Sequence, residues 1–246
     1  MRPVGAGGTL SVDIAEKSFR SAEGVRLTAL RGLSFHVPQG EFACLLGPSG
    51  CGKTTTLRIL LGLDRDFSGS FHLPGGAQDR AVAVFQEPTL LPWRTVEQNV
   101  RLGIPKSRRD ADLDQLFESL GLAEMRSLFP SELSLGLARR AALARAFAAE
   151  PAMLFLDEPF ASLDEQTADR LRHLLLSVWS ARPTTALMVT HNLREALMLS
   201  DRIIVLTGRP AHVRGVFAVP MPRRHRDRSE MNELIRSFHL EYPDVG

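Results

Sequence analysis

The chain has 246 residues, 44% of them hydrophobic and 24% charged, with a formal net charge of +2. That is an ordinary globular composition, enough for one large domain or a domain plus a subdomain. So small a charge excess gives no case for nucleic acid as a partner, and no run reaches the roughly 18 apolar residues of a membrane span.

In chain order, Met1 to Thr9 is Gly-rich and lacks the apolar core of a signal peptide. Leu10–Ile14 and the region around Leu27–Val37 alternate apolar and polar residues and predict half-exposed antiparallel strands. Pro38-Gln39-Gly40 marks a turn, Glu41–Leu46 a short apolar strand, and Gly52–Gly62 a helix. Ser70–Leu73 and Ala81–Phe85 predict further strands. From Pro88 to about Pro130 the pattern turns helical, at Thr95–Leu102 and Ala111–Leu120. Helix Ala138–Ala149 follows, then strand Ala152–Leu156, helix Glu165–Ser180, strand Ala186–Val189, helix Leu193–Leu199 and strand Arg202–Leu206. Alternating strands and helices imply a parallel sheet covered on both faces. The tail from Val213 predicts one more strand and a helix at Ser229–Leu240. The basic run Arg223-Arg224-His225-Arg226-Asp227-Arg228 reads as a solvated surface segment. Cys44 and Cys51 have no metal-ligand spacing and read as free thiols in a reducing compartment.

Gly47-Pro-Ser-Gly-Cys-Gly-Lys-Thr54 fits the phosphate-loop pattern G-x-x-x-x-G-K-[ST], with a strand before it and a helix after it. Glycines let the backbone curl so that several N–H groups face one anion, and the helix N-terminus adds its dipole. Lys53 reaches the β- and γ-phosphates, and the Thr54 hydroxyl holds Mg2+. Met153-Leu-Phe-Leu-Asp-Glu158 is an apolar strand ending in two acids. Asp157 suits the Mg2+ shell and Glu158 a general base on the attacking water; taken alone, the same run also fits a strand end with two solvated acids. His191 follows strand Ala186–Val189, where an imidazole can hydrogen-bond a γ-phosphate or simply serve the structure. Gln86, after strand Ala81–Phe85, offers an amide to Mg2+ or the attacking water.

These motifs, in this order, resemble the ATP-binding subunit of an ABC transporter over about residues 10 to 220. The resemblance implies an α/β fold, a P-loop NTPase (RecA-like) parallel-sheet core with an N-terminal antiparallel β subdomain. It adds a helical subdomain at about 88–150 and leaves 221–246 as a short tail with a helix. It implies ATP and Mg2+ as ligands. The phosphates would lie against Gly47, Pro48, Ser49, Gly50, Cys51, Gly52, Lys53, Thr54 and Thr55, with Phe19 stacked on the adenine. Thr54, Gln86 and Asp157 would surround the metal, and Glu158, His191 and Gln86 would act on the γ-phosphate and water. Ser162-Leu163-Asp164 resembles the D-loop. "VFQEPTLLPWRTVEQNV" and "SDRIIVLTGRP" are similar to the nitrate, sulfonate and taurine importer ATPases. A peripheral motor at the cytoplasmic face of a bacterial membrane is implied. It would pair with a second ATPase subunit, in a homodimer or a heterodimer, and drive a permease served indirectly by a solute-binding protein. Leu90 to Trp93 are candidates for the permease contact or for subdomain core.

Two departures stand out. The family signature Leu-Ser-Gly-Gly-Gln, or Leu-Ser-Gly-Gly-Met in the subgroup, reads here Leu133-Ser134-Leu135-Gly136-Leu137, and the usual Arg-Gln-Arg that follows reads Ala138-Arg139-Arg140. In the family this segment caps ATP on the opposite subunit, which casts Ser134 and Gly136 as γ-phosphate contacts. Leu135 puts a branched side chain where the backbone should approach a phosphate closely, and such a side chain disfavours φ > 0. The alternatives are a weaker γ-phosphate grip, pairing with an ATPase of intact signature, or a regulatory module of low turnover. A small-molecule phosphotransferase would not need Asp164, His191 or the 133–137 segment.

Overall fold

The computed structural model describes residues 8–20, 22, 24–75, 80–226 and 228–245. They form two units, Met1–Gln78 with Thr185–Gly246, and Asp79–Thr184. In the first, β1 (Thr9–Arg20) pairs antiparallel with β2 (Arg26–Pro38), placing Val12 opposite Phe35 and Ile14 opposite Leu33. β4 (Ser68–His72) adds to the other edge of β1 in the order β2-β1-β4. Leu10, Val12 and Ile14 are buried while Ser11 and Asp13 are exposed, so the alternation separates a core face from a wet face. Both strands outrun the alternating segments. Past a bulge at Lys17/Ser18 the backbone ladder continues, and Lys17, buried, anchors its ammonium on Asp64 Oδ1 at 2.9 Å.

The same unit holds a second set of strands. β3 (Phe42–Leu46) lies between β7 (Thr185–Thr190) and β8 (Arg202–Leu206), parallel to both. β9 (Val213–Ala218) closes the edge antiparallel to β8. Every residue of β3 and β7 is buried, which is why these segments read as apolar runs rather than alternations. Helices α1 (Lys53–Leu60), α6 (Leu193–Leu199) and α7 (Arg228–Glu241) belong to this unit. Cys44 and Cys51 are buried free thiols, and burial pushes the Cys44 thiol well up, as inert structural cysteines require.

The second unit pairs β5 (Ala81–Val84) parallel with β6 (Met153–Asp157). Its helices are α2 (Val96–Arg101), α3 (Asp114–Ser119), α4 (Leu135–Ala148) and α5 (Glu165–Ala181). Val96, Val100, Phe117, Leu120, Ala141 and Ala144 form their shared core; each large apolar side chain contributes roughly 1.5–3 kcal/mol on burial. α4 starts three residues before the predicted Ala138, because Ser134 accepts from Leu137 N at 3.3 Å and caps it.

Two arginines of the basic run, Arg223 and Arg226, depart from the expectation of a solvated segment, while His225 is exposed. Arg226 turns inward, donating to the carbonyls of Leu197 at 2.7 Å and Ser200 at 2.8 Å, and to Met221 O at 2.8 Å. Arg223 donates to Leu199 O and to Asp201 Oδ2, both at 2.6 Å. These groups close the C-terminal end of α6, whose last carbonyls have no partner within the helix. Burial, with Arg223 nearby, pulls the Arg226 guanidinium down to about 10. Asp227 lies outside the described residues.

Candidate active site

The phosphate loop leaves β3 at Gly47. Gly50 and Gly52 both lie in the left-handed region, at φ 74° and 121°, so two closely spaced reversals curl the chain into an anion-binding concavity. A side chain at Gly52 would also strike Leu30 Cδ2 at 2.6 Å. Pro48, Ser49, Gly50 and Thr54 are exposed at the rim, Thr55 is half-buried and Cys51 is buried. Lys53 is buried, and its ammonium donates to Gly47 O at 2.8 Å and Pro48 O at 2.9 Å. The cation therefore sits within the loop, as phosphate recognition requires. Gly52 has no side chain to cap α1, whereas α4, α5 and α6 are capped by Ser134, Asp164 and Asn192.

In the same unit, Phe19 ends β1 partly exposed, with the buried Lys17 ammonium 4.7 Å from its ring centre. It lines a cavity of about 630 Å3 with Arg20, Arg26 and Phe67. His191 is exposed just past β7. Its turn is tightly tied: Thr190 Oγ1 donates to Glu195 Oε2 at 2.6 Å and accepts from Asn192 N at 3.0 Å, and the Asn192 side chain caps α6. These bonds hold the backbone corner that carries the imidazole.

In the second unit, Asp157 is the buried end of β6 and Glu158 follows it half-buried. Glu158 takes φ 43° and Ser162 φ 62°, conformations that cost a non-glycine residue of order 1 kcal/mol and cluster at functional sites. Asp164 closes the segment by capping α5, accepting from Thr167 N at 2.9 Å. Hydrogen bonds from Thr167 hold its carboxyl below the usual range. Gln86 is exposed two residues beyond β5.

The 133–137 segment answers the question the sequence raised. Leu135 is the first residue of α4 and is absent from the positive-φ residues, so its branched side chain forces nothing on the backbone. The backbone here does without a positive φ, in keeping with a branched residue at this place, and Leu135 projects, 44% exposed. Ser134 is exposed, and while its oxygen accepts from Leu137 N its hydroxyl proton stays available to an anion. Gly136 is buried against α5, where a side chain would come within 2.9 Å of Thr167 Cγ2. Helix packing within this chain already leaves little room for a side chain there.

Three positioning side chains escape a reading of the sequence. Asn99, fully buried, accepts from Leu91 N at 2.7 Å and donates to the carbonyls of Leu91, Arg94 and Thr95. It shapes the loop that leaves Trp93 70% exposed. Arg145 of α4 donates to Thr89 O at 2.9 Å and Pro88 O at 3.1 Å, fixing the stretch after Gln86. Arg139, buried, donates to Pro159 O at 2.9 Å. Asn99 had a signal: with Val96 and Val100 it shares one helical face, and a polar residue in a core stripe implies satisfied buried hydrogen bonds.

Among the described residues no group of three His, Cys, Asp or Glu gathers as a metal cage. Thr54, Asp157 and Gln86 each carry a hard oxygen, the donor type that Mg2+ takes.

A family model described as ABC transporter matches residues 30–161. An aliphatic sulfonates import ATP-binding protein of Burkholderia lata is 44% identical over 87% of this chain and 80% of its own. Its namesake from Bacillus cereus is 34% identical over 97% of both chains. An uncharacterized ABC transporter ATP-binding protein of Methanocaldococcus jannaschii is 41% identical over 86% of this chain and 82% of its own. Among solved structures, a dimeric post-hydrolysis state of an ATP-binding cassette bound to ADP and Pi superposes with a TM-score of 0.72. It is 25% identical, over 87% of this chain and all of that one.

Proposed function

The chain belongs to the ABC transporter family and is the ATP-hydrolysing motor subunit of an import system; we propose that its cargo is an aliphatic sulfonate or a similar small organic anion. The observation that carries the cargo is the 44% identity, over most of both chains, to a relative named for aliphatic sulfonate import.

In this reading Lys53 and the 47–55 backbone hold the β- and γ-phosphates, Thr54, Asp157 and Gln86 complete the Mg2+ shell, and Phe19 stacks on the adenine. Held by these oxygens, Mg2+ would supply neutralisation of the charge on the transferring phosphoryl group. Glu158 takes a proton from the attacking water, and His191 donates to the γ-phosphate. Ser134 and the N-terminus of α4 reach the nucleotide of a second, head-to-tail copy. The protein works at the cytoplasmic face of the membrane, held by a permease. No helix among the described residues is long and apolar enough to cross a membrane.

The permease contact is assigned to the loop that Asn99 shapes, with Trp93, 70% exposed, as its anchor. In proteoliposomes containing the neighbouring permease, an alkanesulfonate with its binding protein raises ATP hydrolysis severalfold. Trp93→Ala removes that stimulation and leaves the basal rate. Stimulation by an unrelated solute and not by sulfonates would reject the cargo; a stimulated Trp93→Ala would reject the anchor.

Leu135 sets the speed of this motor. Its side chain projects from the first turn of α4, so it acts by bulk beside the bound phosphate. Leu135→Gly raises steady-state ATP hydrolysis about three- to tenfold, a barrier change of about 0.6–1.4 kcal/mol and the net worth of one ordinary hydrogen bond. Its cost to the fold stays below the roughly 1 kcal/mol of an interior helix glycine. Unchanged hydrolysis and unchanged ATP-driven dimerisation would show Leu135 to be neutral.

A further inference from the structure

Arg139 is one turn into α4, the helix whose N-terminus is the altered signature, and it is 5% exposed. A guanidinium so deeply placed must be met by strong acceptors. One is the carbonyl of Pro159 at 2.9 Å, the residue directly after Glu158. That carbonyl belongs to a turn with little freedom to drift. Glu158 is left-handed at φ 43°, proline follows it, Ala161 N returns to Glu158 O at 3.1 Å, and Ser162 is again left-handed at φ 62°. Local bonds close the turn, but the strained Glu158 conformation persists only where its surroundings over-determine it. Arg139 supplies such a restraint from outside the turn. The first turn of α4 is fixed in the same unit by Gly136 against Thr167. The helix that presents Ser134 and the turn that presents Glu158 are thus joined through one buried cation.

We propose that Arg139 is a positioning residue for Glu158, holding the Glu158–Pro159 turn in register with the N-terminus of α4 so that the general base is aimed when the signature is engaged. This rests on the motor reading above, in which Glu158 activates water and the 134–136 segment engages a nucleotide. It adds a residue that touches neither nucleotide nor water.

The test is a double-mutant cycle on the full-length protein, with hydrolysis followed in single turnovers at saturating MgATP. Arg139→Met lowers kcat roughly ten- to a hundredfold, the range expected when a catalytic group is misplaced by about 1 Å, while the KM for ATP moves less than about twofold. Arg139→Gln, which retains a donor for Pro159 O, recovers at least half of the loss on a logarithmic scale. In a Glu158→Gln background, Arg139→Met costs less than about twofold, because the base it aims is already gone. Equal losses in both backgrounds, or KM rising with kcat falling, would show a role in general packing and overturn the proposal. If Arg139→Met does not fold, Arg139→Gln carries the comparison, with a two- to fivefold loss expected in the native background and none beside Glu158→Gln. Wild-type protein that hydrolyses no ATP would instead refute the motor reading, so the two failures are separable.

Discussion

Glu158→Gln stops steady-state ATP hydrolysis, lowering the rate at least about a hundredfold, and ATP-loaded dimers accumulate. The carboxylate is the group at the end of β6 placed to accept a proton from water, and an amide of the same shape cannot. Substrate binding rests on other residues, so affinity for ATP persists. Glutamine has nearly the same backbone preferences as glutamate, so the left-handed conformation at φ 43° costs the same in both and the fold is unaffected. Glu158→Gly is the informative companion. It also abolishes turnover but removes a strain of order 1 kcal/mol, raising the thermal midpoint by roughly 2 °C. Phosphate release and thermal melts on the two variants check both halves. Substantial hydrolysis by Glu158→Gln would remove Glu158 from the base role.

Lys53→Met eliminates hydrolysis and weakens MgATP binding by roughly ten- to a hundredfold, the worth of one to two charge-assisted hydrogen bonds. The fold tolerates the change better than the function does. Lys53 is 4% exposed, and an apolar side chain of similar length spares the desolvation of its ammonium. It also leaves the carbonyls of Gly47 and Pro48 without a donor that each now has. The net effect on the unliganded protein is therefore small. The separation appears in a thermal-shift titration: MgATP raises the midpoint of the native protein and leaves that of Lys53→Met unmoved at the same concentration. An equal shift in both would mean that Lys53 does not carry the phosphates.

How much of this was legible in the sequence depends on the range of the interaction. β1 and β2 showed in their alternation because one face is wet, and β3 and β7 showed as apolar runs because both faces are covered. Their chain order suffices to recognise a P-loop core, and the 47–54 pattern is itself a statement of backbone geometry. What stayed hidden was where long polar side chains go. Arg139, Arg145 and Arg226 look like any helix-face or surface arginine in the sequence, and only tertiary packing shows each of them spending its donors on carbonyls far along the chain. The left-handed backbone at Glu158 and Ser162 was equally invisible, since residue type argues against it. At 133–137 the sequence showed the departure from the family pattern but not the backbone that carries it. Leu135 was expected to trouble the backbone, whereas an ordinary helical turn accommodates it and only its side chain is left to matter.

The inward arginines of the tail give α6 counter-ions of its own. A helix ends in partial negative charge, ordinarily answered by water and mobile salt. Here Arg223 and Arg226 answer it with charges tethered to the same chain and shielded from the bulk, so ionic strength has little hold on that end of the helix that follows His191. These two arginines act as fixed electrolyte, and a chain cut before Arg223 would leave the carbonyls of Leu197, Leu199 and Ser200 to find new donors where Ser200 is already sealed from solvent.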